Sequence, residues 1–359
     1  MRLAVLQQMY LNQTEFLQRN STTKNTYWKG KYRFFFIWML IAILAGTIPL
    51  IVFVLLYTNQ GRIVYSTTLV SHSFPTLQWK KEGITIGKNQ LNRSHDIVID
   101  YANTLYIADS YNNRIQKYTR DASDGITVSG QRNGAASVSS SHLFYPTRVR
   151  ANENGDIYVA DTNNHRIQFW RSGESFGTTL AGNSLGIAGS TNNYLSNPYG
   201  ITYDSSKTLY ISDSSNSRLM SYVFNASTGT VLAGSGAVLS NASVSVPYGL
   251  TYHAISNSLL ISNLNTHNIV QIMLDDYSWK IIGGSTQLSS PSDVTYDPMG
   301  NVYVADTGNG RIQLFLNGKS NGTTIASSFA APVSVKLDNQ LNLYVADFDN
   351  SRIQKFVRY

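Results

Sequence analysis

The 359-residue chain has no cysteine. A disulfide-stapled scaffold and a thiolate metal site are excluded, and so are the Cys/His zinc domains on which ubiquitin ligases depend. A large closed domain does not need disulfides, so the zero count says nothing about compartment. Glutamate is almost as scarce: beyond residue 57 only Glu82, Glu153 and Glu174 occur. The repeat region has no apolar stripe at i, i+3, i+4, which excludes a helical solenoid. Basic surplus is also missing where nucleic acid would need it. Net charge is +7, but +5 of it falls in residues 1–33 and only +2 in the remainder. The basic pI is therefore partly a tail property, and no nucleic-acid partner is expected.

What is present is a repeat. YVADTGNGRIQLF, from Tyr303 to Phe315, occurs in six versions, the others starting at Tyr106, Tyr158, Tyr210, Leu260 and Tyr344. Starts lie 52, 52, 50, 43 and 41 residues apart, a period that marks a repeat array. Each copy reads as an apolar strand, an Asp/Asn turn and an alternating strand, Arg-Ile-Gln-x-aromatic. An earlier strand follows Pro146, Pro198, Pro247, Pro291 and Pro332, with Ser94 in the equivalent place of the first repeat. A fourth strand follows in five repeats, at 125–128, 178–181, 230–233, 279–282 and 323–326. Four short strands per repeat make a β-propeller blade. The sixth repeat ends after its third strand, and an orphan strand at 83–87 is its expected fourth. That donation joins the two ends and removes open sheet edges. The fold expected is all-β, a six-bladed β-propeller with 3+1 closure, over residues 82–359.

YVADTNNHRIQ, starting at Tyr158, and its copies resemble the NHL repeat. The resemblance implies six blades over about three quarters of the chain. It says less about function, because members of this family include an amidating lyase, RNA-binding modules of ubiquitin ligases and bacterial sensor ectodomains.

The N-terminal part suggests an anchor. Residues 34–57 (FFFIWMLIAILAGTIPLIVFVLLY) carry no charge, long enough for one transmembrane α-helix contacting a lipid bilayer. Lys24, Lys29, Lys31 and Arg33 precede it and only Arg62 follows closely. The positive-inside rule then gives a single-pass type II protein: residues 1–33 a disordered cytosolic tail, 58–81 a polar stem, and the propeller extracellular or lumenal. Asn92, Asn225, Asn241 and Asn321 begin Asn-x-Ser/Thr triplets and are glycosylation candidates on that topology. Asn12 and Asn20 begin two more in the tail and should be unused.

The recurrent pairs Asp109/Arg114, Asp161/Arg166, Asp213/Arg218, Asp306/Arg311 and Asp347/Arg352 are read as scaffold, since nearly every blade has one. In the fourth repeat Asn263 and Asn268 replace them. Function is sought where the repeats differ. The residue after the proline position, at the channel mouth, is His95, Thr147, Tyr199, Tyr248, Ser292 or Val333. The next ring is Asp96, Arg148, Gly200, Gly249, Asp293 and Ser334. Ligand-binding candidates are His95, Asp96, Thr147, Arg148, Tyr199, Tyr248 and Asp293, with Tyr111 and Phe348 from the turns. The family's amidating lyases bind zinc through several channel histidines. Here only His95 aligns with such a place, short of the usual three zinc ligands. No metal or cofactor is expected, and the chain is read as a recognition or adhesion module for a protein, peptide or glycan rather than an enzyme. Two alternatives stay open: a metal-dependent hydrolase or lyase using Asp96 and Asp293, and an RNA-binding propeller if the domain is cytosolic.

Overall fold

A computed structural model of the chain describes residues 34–39, 51–59, 62–70 and 77–359, apart from 121, 235, 236, 238 and 240–243. It divides into two compact units, Met1–Phe74 and Pro75–Tyr359.

In the first unit, Phe34–Met39, Ile51–Asn59 and Arg62–Val70 form an antiparallel three-stranded sheet in that order. Phe34 pairs with Tyr57 and Ile51 with Val70. This corrects the expectation of a transmembrane helix at 34–57. The uncharged run is rich in aromatic and β-branched residues, from Phe34 to Trp38 and from Ile51 to Val54. Such residues favour a pleated, paired surface, and Gly46 and Pro49 between them are turn formers. Among the described residues no helix is long and apolar enough to cross a membrane. The tail, residues 1–33, lies outside the described residues, as does Asn241.

The second unit is a six-bladed propeller. Blade one comprises Asp96–Ile99, Leu105–Asp109, Arg114–Tyr118 and Ile126–Gly130. Blades two to five repeat that order from Pro146, Pro198, Pro247 and Pro291, and blade six starts at Pro332. In blades two to six the proline is the first residue of the inner strand, where it forfeits no ladder bond, and a register shift follows beside it. Blade one, which has Ser94 there, pairs without the shift. The second strands are the most deeply buried: Leu105–Asp109, Leu209–Asp213 and Leu343–Asp347 are buried at every position. They are covered on both faces, which is why they read as continuous apolar runs.

The ring closes as the sequence implies. Ile84–Ile86 pairs with Arg352–Phe356 through Ile86↔Ile353 and Ile84↔Lys355. Gln354 Nε2 donates to Thr85 Oγ1 at 2.7 Å. The N-terminal end of the unit reaches further than expected. Trp79 pairs with Arg358, is buried, packs against Tyr303 and donates Nε1–H to Leu341 O at 2.8 Å.

The Asp-to-Arg turn is an internal lock. In blade two, Asp161 Oδ1 accepts the Phe144 N–H at 2.7 Å, and Oδ2 accepts Asn164 Nδ2 at 2.9 Å and Arg166 Nε at 2.8 Å. Asp109, Asp213, Asp306 and Asp347 accept the same three kinds of donor, the arginine being Arg114, Arg218, Arg311 and Arg352. The carboxylates are fully buried and the ion pairs are 2.7–2.9 Å long. In blade four the charges are gone but the shape survives: Asn263 Nδ2 donates to Asn268 Oδ1 at 2.9 Å. A neutral amide pair replaces an ion pair whose desolvation was costly.

Candidate functional site

The six inner strands meet around the propeller axis, and the residue two places after the proline position decides what fills it. Gly200 and Gly249 leave no side chain there, because none fits: a Cβ on Gly200 would collide with Tyr248 O, and one on Gly249 would lie 2.7 Å from Asp293 Cα. The other four positions carry a closed polar cluster. Arg148 is completely buried; it donates to His95 O at 3.0 Å and Ser292 O at 2.7 Å, and lies 3.8 Å from Asp96 and 3.5 Å from Asp293. Asp96 accepts from Arg150 Nη1 at 3.0 Å, the Val149 N–H at 3.1 Å and Ser334 Oγ at 2.9 Å. Asp293 accepts from Lys336 Nζ and from the Val335 N–H at 3.0 Å, and lies 2.9 Å from Ser334 Oγ, whose single proton serves one of the two carboxylates at a time.

Burial alone would raise the Asp293 carboxyl, but Lys336 and Arg148 outweigh it and hold the group at about 2. Burial likewise works against the Arg148 charge, and Asp293 and Asp96 more than restore it. Two carboxylates thus face three cations, Arg148, Arg150 and Lys336. Asp96, Asp293 and Arg148 are committed to one another rather than presented to a ligand. Among the described residues no group of three or more His, Asp or Glu side chains could hold a metal ion.

Above this cluster lies an aromatic mouth. His95 sits at its centre, with ring centroids of Phe348 at 4.4 Å, Tyr145 at 5.2 Å, Tyr199 at 6.3 Å and Tyr248 at 6.5 Å. Tyr199 and Tyr248 stack at 4.1 Å, and Tyr111 closes the circle at 5.5 Å from Tyr145 and 5.9 Å from Phe348. The Tyr248 hydroxyl and His95 Nε2 are 3.2 Å apart. Burial, helped by the Arg148 charge, pushes the His95 imidazole down to about 3. It is neutral at ordinary pH. Burial also pushes the Tyr248 phenol well up. Arg93 lies over the mouth, 5.1 Å from the Tyr111 centroid and 5.6 Å from that of Phe348.

Of the candidates, His95, Tyr199, Tyr248, Tyr111 and Phe348 are brought together at the mouth. Thr147 is buried below it, sharing a 2.6 Å hydrogen bond with Thr162. Tyr145 and Arg93 were not anticipated. Both stand just before the proline position, two residues outside the ring considered, and both are left-handed, at φ 55° and 47°. Their signal was positional: the repeats differ there as much as at the ring itself. Asn225 and Asn321 are exposed, whereas Asn92 is exposed but its triplet partner Ser94 is buried.

A closed, axially sealed six-bladed β-propeller is the class that this architecture defines. Three of its blades match the NHL repeat: the model of that family covers residues 145–169, 288–315 and 329–356, in blades two, five and six. No curated protein matches the chain. Several solved structures share the fold. Virginiamycin B lyase from Staphylococcus aureus is similar at 13% identity and TM-score 0.52, over 91% of this chain and 99% of that one. A putative gluconolactonase is similar at 9% identity and TM-score 0.57, over 79% and 93%. A chain of a nidogen/laminin complex is similar at 16% identity and TM-score 0.53, over 67% and 84%. These likenesses correct the expectation that the chain is not an enzyme. Propellers of this shape include lyases and a putative lactonase, so the missing zinc ligands do not exclude catalysis.

Proposed function

We propose that the propeller is a recognition module that takes a protein, peptide or glycan on its aromatic mouth. The observation that carries this is the circle of Tyr111, Tyr145, Tyr199, Tyr248 and Phe348 about His95, with Arg93 over two of the rings. Aromatic and arginine side chains are the usual anchors of interfaces. The nidogen/laminin complex supports the reading in one respect: a propeller of this shape takes part in that protein complex. Display on the extracellular or lumenal side of a membrane belongs to the same proposal. It rests on the charge-free run and on the four basic residues just before it.

Random-peptide display against the propeller tests the mouth. Wild type should enrich a peptide family that Tyr111→Ala and Arg93→Ala each weaken roughly tenfold, about the 1.4 kcal/mol of one anchor. Enrichment indifferent to both changes would move the ligand elsewhere. Protease treatment of sealed vesicles tests display: digestion of the propeller would revive a cytosolic, RNA-binding reading.

A second reading is catalysis at the same mouth. It is favoured by His95 Nδ1, which is buried without a hydrogen-bond partner while Nε2 faces Tyr248. Lactone turnover abolished by His95→Ala would support it, and no turnover across a lactone panel would remove it.

A further inference from the structure

The hairpins at the end of the propeller opposite the mouth carry a second feature. Blades two and three enclose a groove of about 580 Å³ there. Its walls include Phe176, Val223 and Phe224, which are 57%, 66% and 57% exposed. Among the described residues only Lys207 Nζ lies over one of them, 5.3 Å from the Phe224 ring centroid. Asn225, which begins the triplet Asn225-Ala226-Ser227, lines the same groove beside Phe224. It is exposed and stands at the hairpin tip in a left-handed turn, φ 65°.

We infer that this groove is the seat of an N-linked glycan carried by Asn225. The inference rests on the lumenal or extracellular placement proposed above. Three features select this occupant. The acceptor asparagine is itself a wall residue, so an attached glycan is tethered at high effective concentration. The walls combine aromatic faces, which suit the apolar faces of sugar rings, with a polar rim, as ligand sites do. The ionised side chains lining the groove cancel, Asp156 and Glu174 against Arg171 and Lys207, which suits a neutral ligand. Covering the groove removes an exposed apolar patch. The glycan also leaves the mouth at the other end free. Asn321 is exposed as well but is not among the residues lining this groove. It is the internal control.

The test expresses the full chain in a secretory cell and maps Asn92, Asn225 and Asn321 by mass spectrometry. An N-glycan-removing enzyme is then applied to the native protein. Asn225 should be occupied and released roughly tenfold more slowly than Asn321. The difference should vanish on denaturation and in Phe224→Ser, a change at an exposed position that leaves the core intact. Equal release rates in the native protein overturn the seat. An empty Asn225 beside an occupied Asn321 overturns the inference and keeps the lumenal placement. If all three are empty the inference falls, and vesicle protease protection then decides the placement by itself.

Discussion

At the scale of single residues, His95 makes the sharpest prediction. Its folded-state pKa, about 3, lies below the ordinary 6.5 because burial disfavours the charged ring. The unfolded chain therefore binds the proton first. Stability conferred by neutral His95 is complete above about 6.5 and is lost as pH falls towards 3, at up to about 1.4 kcal/mol per pH unit. Asp109, Asp161 and Asp213 work against this near pH 4, since burial raises all three. The comparison must therefore be a difference. Denaturant unfolding of wild type and His95→Gln between pH 7 and pH 4 should show the wild type losing the greater stability. Parallel curves would mean that the ring stays hydrated. Placing His95 at the mouth followed from the repeat register alone. Its neutral state did not, nor did the commitment of Arg148, because Arg148 bonds Ser292 across 144 residues. A ring position tells which side chains share a layer, and only the layer below tells which of them are spent on each other.

At the scale of elements, the question is what couples one blade to the next. Two side chains of the turns reach forward, but not in every blade: Leu264 and Phe348 have no hydroxyl, and Gly310 has no side chain. The residue after the motif aspartate donates its hydroxyl to the carbonyl of the next blade's proline. Ser110 reaches Pro146 at 2.6 Å, Thr162 reaches Pro198 at 2.7 Å, Thr307 reaches Pro332 at 2.7 Å, and Ser214 reaches Pro247. The left-handed residue that ends the turn accepts the N–H just before that position: Asn113 from Tyr145, His165 from Asn197, His267 from Ser290 and Ser351 from Arg93. Thr162→Val strands a buried carbonyl and should cost about 1–3 kcal/mol. His165→Ala should cost about 1 kcal/mol, and His165→Asn should restore it, since Asn113 performs the same task in blade one. A rescue that fails would show that the imidazole acts by packing instead. These couplings were hidden in the sequence because the residues involved look like turn formers. Blade six has Phe348 where the hydroxyl should be and no proline follows it at Ser94. That junction is where the aromatic mouth opens, so the lapse in the repeat was the legible mark of the site.

At the scale of the whole molecule, the propeller is a ring held shut at one seam. Six blades and the 3+1 closure were readable because a six-fold period with one strand missing and one strand spare has a single economical solution. The depth of the seam was not readable, because Trp79 precedes the repeat and has no counterpart in it. Apart from the axial cluster, where Arg148 reaches Ser292 and Asp293, a blade packs mainly on its neighbours, so opening one junction exposes two faces at once. The seam carries three strand pairings at Ile84–Ile86, the Gln354–Thr85 bond, and Trp79 wedged beside Tyr303 with its indole bonded to Leu341 O. Removing a buried indole typically costs about 3–5 kcal/mol. Trp79→Ala should therefore lower the unfolding free energy by about that amount, with one cooperative transition retained if the ring unfolds as a unit. Deleting residues up to 87 should do more. It leaves Arg352–Phe356 as an unpaired edge, and such edges promote association between copies. Light scattering during a thermal ramp separates the two outcomes. A truncated propeller that melts like wild type and stays monomeric would mean that the other five junctions suffice, and that the donated strand closes a ring already stable without it.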